Sequence, residues 1–151
     1  MNNKRIEKNG DYKKSTIPWY KEGLRFECQR CGNCCRGEPG AVWVDKSEMA
    51  RISSFLGIAL SAFAKNYLRK IYKRFSLLEY GNGDCIMYRD GCRIYTVRPC
   101  QCRTFPFWKL NLESKSEWEK RKETCPGIDR GKLYSLKDIE ENLEIFESGF
   151  G

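Results

Sequence analysis

The sequence predicts an α+β fold: a small single domain with short strands, a hairpin and two or three helices. Three observations lead to this prediction. The 151 residues suit one domain better than two. Helical apolar patterns alternate with short β-prone runs bounded by glycine turns. The mean hydropathy is only −0.67, so we expect something besides apolar burial to help hold the fold together.

The first 18 residues are polar and basic, and we interpret residues 1–18 as a flexible basic arm. Its basic residues are followed by no apolar stretch, unlike those of a secretory signal. The longest mostly apolar stretch, "FLGIALSAFA", is far shorter than the roughly 18 residues that a membrane span needs. The sequence therefore predicts no membrane-spanning segment and a cytoplasmic location.

Residues 19–130 are predicted to form the main domain, beginning with a short strand over residues 41–44. Asp45 and Glu48 have the spacing of a capping box, which predicts a helix that Gly57 ends. Four apolar residues recur at helical intervals and are expected to form its buried face: Met49, Ile52, Phe55 and Leu56.

A second helix is predicted from about Ser61, with four residues facing inward: Phe63, Tyr67, Leu68 and Ile71. Over residues 75–95, β-prone runs broken by "GNGD" and "RDG" predict a hairpin. That hairpin would place Cys85 and Cys92 just after its turns, with Gly91 supplying a positive φ. Residues 131–151 are predicted to form an acidic amphipathic helix that packs on the domain.

Four cysteines crowd into the segment "CQRCGNCCRG" over residues 28–37. A disulfide framework is disfavoured because clustered thiols in a reducing compartment are more often metal ligands or catalytic groups. The total of nine cysteines would leave one thiol unpaired, and a bridge between the adjacent Cys34 and Cys35 would be strained. Thiolates two residues apart can instead bind one metal or cluster, because the intervening turn brings both sulfurs to the same side.

The side chains of neighbouring Cys34 and Cys35 usually diverge, which indicates two centres or one polynuclear centre. Setting aside one of Cys100 and Cys102 leaves eight cysteines, the number that two four-ligand sites require. The short strands and helices would then surround one or two thiolate centres.

Iron-sulfur is favoured over zinc as the bound group. Zinc sites usually pair one C-x-x-C with a second one or with two histidines, and this sequence has no histidine. The first three cysteines of the segment, together with Cys125 and Pro126, loosely imitate the spacing that holds a 4Fe-4S cluster in bacterial ferredoxins. Zinc remains the alternative.

Three segments, "WYKEGLRFECQRCGNCC", "DCIMYRDGCRIYTVRPCQCRTFP" and "CPGI", closely resemble the YkgJ-type cysteine-cluster family over about residues 19–128. That family is described as a zinc- or iron-chelating domain with a C-x-x-C-x-x-C-C signature. The resemblance implies metal or iron-sulfur binding through eight positions: Cys28, Cys31, Cys34, Cys35, Cys85, Cys92, Cys102 and Cys125. Cys100 falls on a variable position and is interpreted as a spare thiol.

The sequence offers no catalytic set, because without histidine there is no Ser-His or Cys-His arrangement, and no glycine-rich phosphate loop precedes a helix. We therefore expect a metal-binding protein that holds iron-sulfur clusters or iron in an electron-transfer, cluster-handling or accessory role. The alternative is an interaction module without redox activity, which zinc bound to four-cysteine sites stabilises. Arg98 and Arg103 flank the late cysteines and either tune a cluster or simply hold the turns.

The formal charge of +8 bears on the choice of partner. Two four-thiolate centres of about −2 each would reduce it to about +4, so a nucleic-acid partner is not favoured. A protein partner is expected.

Overall fold

Two small antiparallel sheets and six α-helices make up the structure, a computed structural model that describes residues 17–37 and 40–149. The predicted α+β class is confirmed. Residues 1–16 of the predicted arm lie outside the described residues, and the division at residue 130 stays a prediction. None of the helices in the described ranges has the length and apolar character that a membrane span requires.

The five strands are short, and the helices range from one turn to four turns. In chain order the strands are β1 (Leu24–Phe26), β2 (Trp43–Val44), β3 (Leu68–Ile71), β4 (Arg74–Leu77) and β5 (Ile128–Tyr134). The α-helices are α1 (Lys46–Leu56), α2 (Leu60–Tyr67), α3 (Cys100–Thr104), α4 (Lys109–Leu112), α5 (Lys115–Arg121) and α6 (Leu136–Gly149). Two 3₁₀ turns cover Asn33–Cys35 and Tyr95–Val97.

The two sheets join parts of the chain that are very different distances apart in sequence. Strand β1 pairs antiparallel with β5, and Leu24 lies opposite Tyr134, so this sheet ties the two ends of the described chain together. The other sheet has the order β2-β4-β3 and is built around the β3–β4 hairpin, in which Leu68 lies opposite Leu77.

Helix α1 begins and ends where the sequence predicts. The Asp45 side chain accepts from the backbone of Glu48, and the Glu48 side chain accepts from the backbone of Asp45. Gly57 ends the helix at a φ of 67°. The expectation that Phe55 shares the apolar face is wrong, because 52% of it is exposed. Phe55 is turned about 100° around the helix axis from Leu56, away from the buried Met49 and Ile52.

The second predicted helix is shorter than expected, and the hairpin lies earlier in the chain. Helix α2 ends at Tyr67, whereas Leu68 and Ile71 belong to β3. Pairing with β4 overrides the local helical pattern there, since strand formation depends on the neighbouring strand. The "GNGD" and "RDG" turns are present, but isolated bridges, Glu79 with Cys85 and Tyr88 with Cys92, flank them instead of long strands.

The buried apolar residues form two clusters. The first apolar cluster combines α1, α2 and the three-stranded sheet; its members are Val44, Met49, Ile52, Phe63, Leu68, Leu77, Met87 and Ile94. The second combines the β1–β5 sheet with α4, α5 and α6; its members are Leu24, Phe26, Phe107, Leu112, Trp118, Ile128 and Ile139. Counted over the described residues, the clusters have eight and seven buried members, which makes each of them modest in size.

Gly127 allows β1 and the segment after Cys125 to approach closely. The Glu27 amide donates to the Gly127 carbonyl at 3.1 Å, and a Cβ added at Gly127 would overlap the Glu27 carbonyl oxygen. We expect Gly127→Ala to lower the free energy of unfolding by about 1–3 kcal/mol, because backbone atoms cannot move aside cheaply.

Gly81→Ala is the matched control for this prediction, because a Cβ at Gly81 would meet no atom within 4 Å. Its effect should stay within about 0.5 kcal/mol. Urea unfolding of the metal-loaded protein measures both values, and equal stability of the two variants would contradict the close approach.

Candidate metal centre

A cavity of about 900 Å³ lies beside both apolar clusters, and we call it the cysteine cavity. Seven of the eight predicted ligand residues line it: Cys28, Cys31, Cys34, Cys35, Cys92, Cys102 and Cys125. The eighth, Cys85, lines a smaller adjoining cavity together with Cys34 and Cys35. The fold thus brings thiols from distant segments to one region.

The cysteine loop turns tightly where it enters the cavity. Gly32 has a φ of 76° and precedes the 3₁₀ turn Asn33–Cys35. A Cβ at this position would lie 2.5 Å from the ring of Tyr88, so glycine satisfies both the backbone angle and the packing. The Cys85 amide then donates to the Cys35 carbonyl at 2.7 Å, which fixes the end of the loop against the "GNGD" turn that precedes Cys85.

The cysteines of the cavity are supported by different clusters. Cys85 and Cys92 pack against the first apolar cluster. Cys28 and Cys125 pack against the second. A group bound by thiols from both sides would therefore connect two clusters that are each modest in size.

Helix α3 separates Cys100 from Cys102. The Cys100 thiol donates to the Ile145 carbonyl of α6 at 3.2 Å, whereas Cys102 lines the cysteine cavity. Residues two apart on a helix point to nearly opposite sides. Cys100 is thus turned away from the cavity, which agrees with its interpretation as a spare thiol.

Cys35 lies between Cys34 and Cys92 and is hydrogen-bonded to both sulfurs. The bond from Cys35 lowers the pKa of Cys34 to about 6 and that of Cys92 to about 7. The same bonds raise the pKa of Cys35, which keeps its proton. Because Cys35 carries one proton, it can donate to only one neighbour at a time, and Cys34 is the first to ionise.

Burial acts in the opposite direction on the other thiols. It raises the pKa of Cys85 to about 11, and it also raises the pKa values of Cys102 and Cys125. Desolvation disfavours a thiolate that has no cation beside it. A bound metal cation would reverse this effect, since a coordinated thiol is deprotonated.

Tyr95 and two arginines form a stack at the cavity wall. The guanidinium carbons of Arg30 and Arg98 lie 3.9 and 3.8 Å from the centroid of the Tyr95 ring. The Tyr95 side chain is hydrogen-bonded to Cys28, which raises the pKa of Tyr95. Sequence analysis missed Tyr95 and Arg30, although both lie within three residues of a predicted ligand.

The two arginines that the sequence singled out have different positions. Arg98 lines the cavity, and its charge helps lower the pKa values of Cys34 and Cys92. Arg103 is exposed and instead interacts with Cys100. The proximity of Arg98 to sulfur favours an electrostatic role for it, while Arg103 has no such position.

The donor set fits a thiophilic metal in its chemistry. All nine cysteines are free, and the eight predicted ligands line two adjoining cavities. Within the described residues, no three His, Cys, Asp or Glu side chains are already arranged to hold a metal ion. Cys35 is hydrogen-bonded to Cys34 and Cys92, and these thiols would have to exchange their hydrogen bonds for bonds to a metal. Metal binding is therefore coupled to local rearrangement.

We expect Cys34 to be alkylated before Cys35 in the reduced, metal-free protein, because the thiolate is the nucleophile. Since the pKa of Cys34 is about 6, its labelling rate should rise as the pH increases through that value and then level off. Iodoacetamide labelling with peptide mass spectrometry measures the profile. Cys35→Ala removes the donor and should move the Cys34 profile to higher pH; an unchanged profile would contradict the hydrogen bond.

Comparisons with known proteins agree with this chemistry. A family model described as "CxxCxxCC: Putative zinc- or iron-chelating domain" matches residues 27–126. An uncharacterized protein of Methanocaldococcus jannaschii, MJ0661, is 33% identical over 98 residues, which is 63% of this chain. The match spans about half of that relative, 52% of its length. No solved structure matches the chain. Because the family model covers most of the sequence, including all eight predicted ligand residues, this chain belongs to the CxxCxxCC family.

Proposed function

We propose that this protein holds two iron-sulfur clusters through eight cysteines and serves in electron transfer, in cluster handling or as an accessory to a larger enzyme. The convergence of eight free cysteines on two adjoining cavities carries the proposal. Free thiols in this number suit a reducing compartment, and a cytoplasmic location is part of the proposal.

The preference for iron-sulfur over zinc rests on ligand type and spacing. The chain has no histidine and no second C-x-x-C pair, whereas structural zinc sites commonly use one or the other. Cys28, Cys31 and Cys34 repeat at two-residue spacing, and Pro126 follows Cys125, as in ferredoxin-type ligation.

The neighbours of each thiol suggest how the eight ligands divide. Cys125 interacts electrostatically with three cysteines of the loop, and we call this proposed group the loop set: Cys28, Cys31, Cys34 and Cys125. Cys34 is also an electrostatic neighbour of Cys102, and we assign it to the loop set by its C-x-x-C spacing from Cys31. The other cysteine neighbours of Cys102 are Cys85 and Cys92, and Cys35 joins them through the Cys92 hydrogen bond. These form the proposed interior set: Cys35, Cys85, Cys92 and Cys102. Cys34 and Cys35 then belong to different centres, which agrees with the usual divergence of neighbouring side chains.

The residues around the sulfurs would control the properties of the bound groups. A cluster supplies one-electron redox chemistry when it is bound. Arg98 places a positive charge beside Cys34 and Cys92, and Tyr95 is hydrogen-bonded to Cys28. Phe26, Phe105 and Trp108 also line the cavity and restrict water. Charge, hydrogen bonding and exclusion of water are the means by which a protein adjusts a cluster potential.

Metal content tests the two sets. We expect Cys31→Ser to remove the cluster of the loop set and Cys92→Ser to remove that of the interior set. Each variant, isolated without oxygen, should keep about half of the iron and acid-labile sulfide of the parent, because each set has four ligands. Cys100→Ser should keep all of it and is the control. Circular dichroism checks that each variant is folded.

Other outcomes would contradict the proposal in distinguishable ways. Loss of all iron from either single variant would indicate one shared centre. A colourless parent with stoichiometric zinc and no sulfide would instead support the zinc-stabilised interaction module, a reading that the family description also accommodates.

Removal of the bound group should destabilise the fold. Metal binding contributes directly to folding when the ligands come from distant segments, and both apolar clusters here are small. We expect chelation under reducing conditions to lower the free energy of unfolding by several kcal/mol. Urea titration before and after chelation measures this change, with Cys100→Ser as a control that should behave like the parent. An unchanged urea midpoint would show that a group bound to the thiols does not connect the two apolar clusters.

A further inference from the structure

Arginine dominates the charged lining of the cysteine cavity. Six arginines line it: Arg30, Arg36, Arg89, Arg93, Arg98 and Arg121. Among the described lining residues, Asp90 is the only acidic side chain. We call these six arginines the arginine rim of the cavity. Acidic residues gather instead on α6, which packs against α3 on the side that Cys100 faces.

Most of these arginines have no carboxylate partner in the described part of the chain. Arg36 approaches Asp84 at 3.9 Å, which is a weak pairing, and within residues 17–37 and 40–149 the other five lining arginines form no salt bridge. Arg89 and Arg93 are also exposed. Surface cations elsewhere do find partners: Arg69 pairs with Glu79 at 3.0 Å, and Lys122 pairs with Glu119 at 2.6 Å.

Arg121 supplies an independent observation. Its Nε atom is buried and has no hydrogen-bond partner within the ranges that the structure describes. A buried donor without a partner is costly, and such groups usually indicate a missing acceptor. Arg121 and Cys125 both line the cavity. Because Nε is buried, an acceptor carried by a ligand at the rim would bond to it only after the Arg121 side chain shifts to uncover that atom.

The thiols do not account for the whole rim. Arg98 is the guanidinium that interacts with the sulfurs of Cys34, Cys92 and Cys102. Arg89 and Arg93 face solvent, where a charge attracts a partner more effectively than it stabilises a buried group. Arg89 and Arg93 are therefore available to bind an external anion.

We propose that the arginine rim is the docking surface for an acidic segment of a partner protein, which lies over the proposed clusters with one carboxylate at Arg121. Charge complementarity selects this occupant, and guanidinium groups recognise carboxylates through paired hydrogen bonds. The inference gives the partner of the proposed function, because a cluster that exchanges electrons needs its partner close to the cavity. The rim arginines exist whichever metal is bound, so docking and metal identity can fail separately.

Binding of a fluorescent polyglutamate peptide to the metal-loaded protein at low ionic strength tests this surface by fluorescence anisotropy. Arg89→Gln with Arg93→Gln should weaken binding about fivefold, since exposed charge pairs contribute modestly. Arg121→Gln should weaken it about tenfold through loss of a charged hydrogen bond. Lys65→Gln with Lys73→Gln removes the same charge from exposed positions on α2 and the β3–β4 turn and should have little effect.

Metal analysis of each variant separates the two proposals, because a variant with unchanged metal content and weaker peptide binding supports docking alone. Equal weakening by the lysine variant would show that net charge, not the rim, binds the peptide, and would overturn the inference. Binding that no rim variant weakens, or no binding at all, would also overturn it. Tighter, rim-dependent binding of a single-stranded DNA oligonucleotide of equal charge would assign the rim to nucleic acid instead.

Discussion

Thiols from widely separated segments meet where the two apolar clusters adjoin, and the surrounding geometry serves this convergence. The Cys35 carbonyl at the end of the cysteine loop accepts a hydrogen bond from the amide of Cys85, which follows the "GNGD" turn. Just before the loop, the Glu27 amide donates to the Gly127 carbonyl, next to Ile128 of the second apolar cluster. Each attachment joins residues far apart in the chain. These two long-range hydrogen bonds therefore help to hold the thiols in one region.

The thiols are unfavourable for stability while they are unliganded. Burial raises the pKa values of Cys85 and Cys102, and the sulfurs of Cys34 and Cys92 depend on one proton of Cys35. A bound cation would satisfy all of these groups together, because thiolates are its natural ligands. With so few buried apolar residues in each cluster, this exchange would favour the folded chain more than it would in a protein with a large core.

Charge is distributed unevenly around this centre. Arg98 and Arg30 hold Tyr95 between them beside Cys28, whereas Arg89 and Arg93 are exposed at the rim. Inner and outer arginines therefore have different consequences: Arg98 acts on the sulfurs, Arg30 acts on Tyr95, and Arg89 and Arg93 act on molecules that approach from solvent. The acidic helix α6 packs against α3 on the side that carries Cys100, opposite to the side that carries Cys102. Such a division favours one orientation of an approaching charged partner.

The sequence by itself determined the α+β class, the capped helix α1 and the family, because each depends on short-range patterns. Asp45, Glu48 and Gly57 act within a few residues, and the C-x-x-C-x-x-C-C spacing lies in one loop. Only the tertiary structure decided that β3 replaces the end of a predicted helix, and that β1 pairs with β5. It also decided that Arg30, Arg121 and Tyr95 share a cavity with the cysteines. Strand pairing and cavity walls depend on contacts between distant residues, and no local pattern in one sequence encodes those contacts.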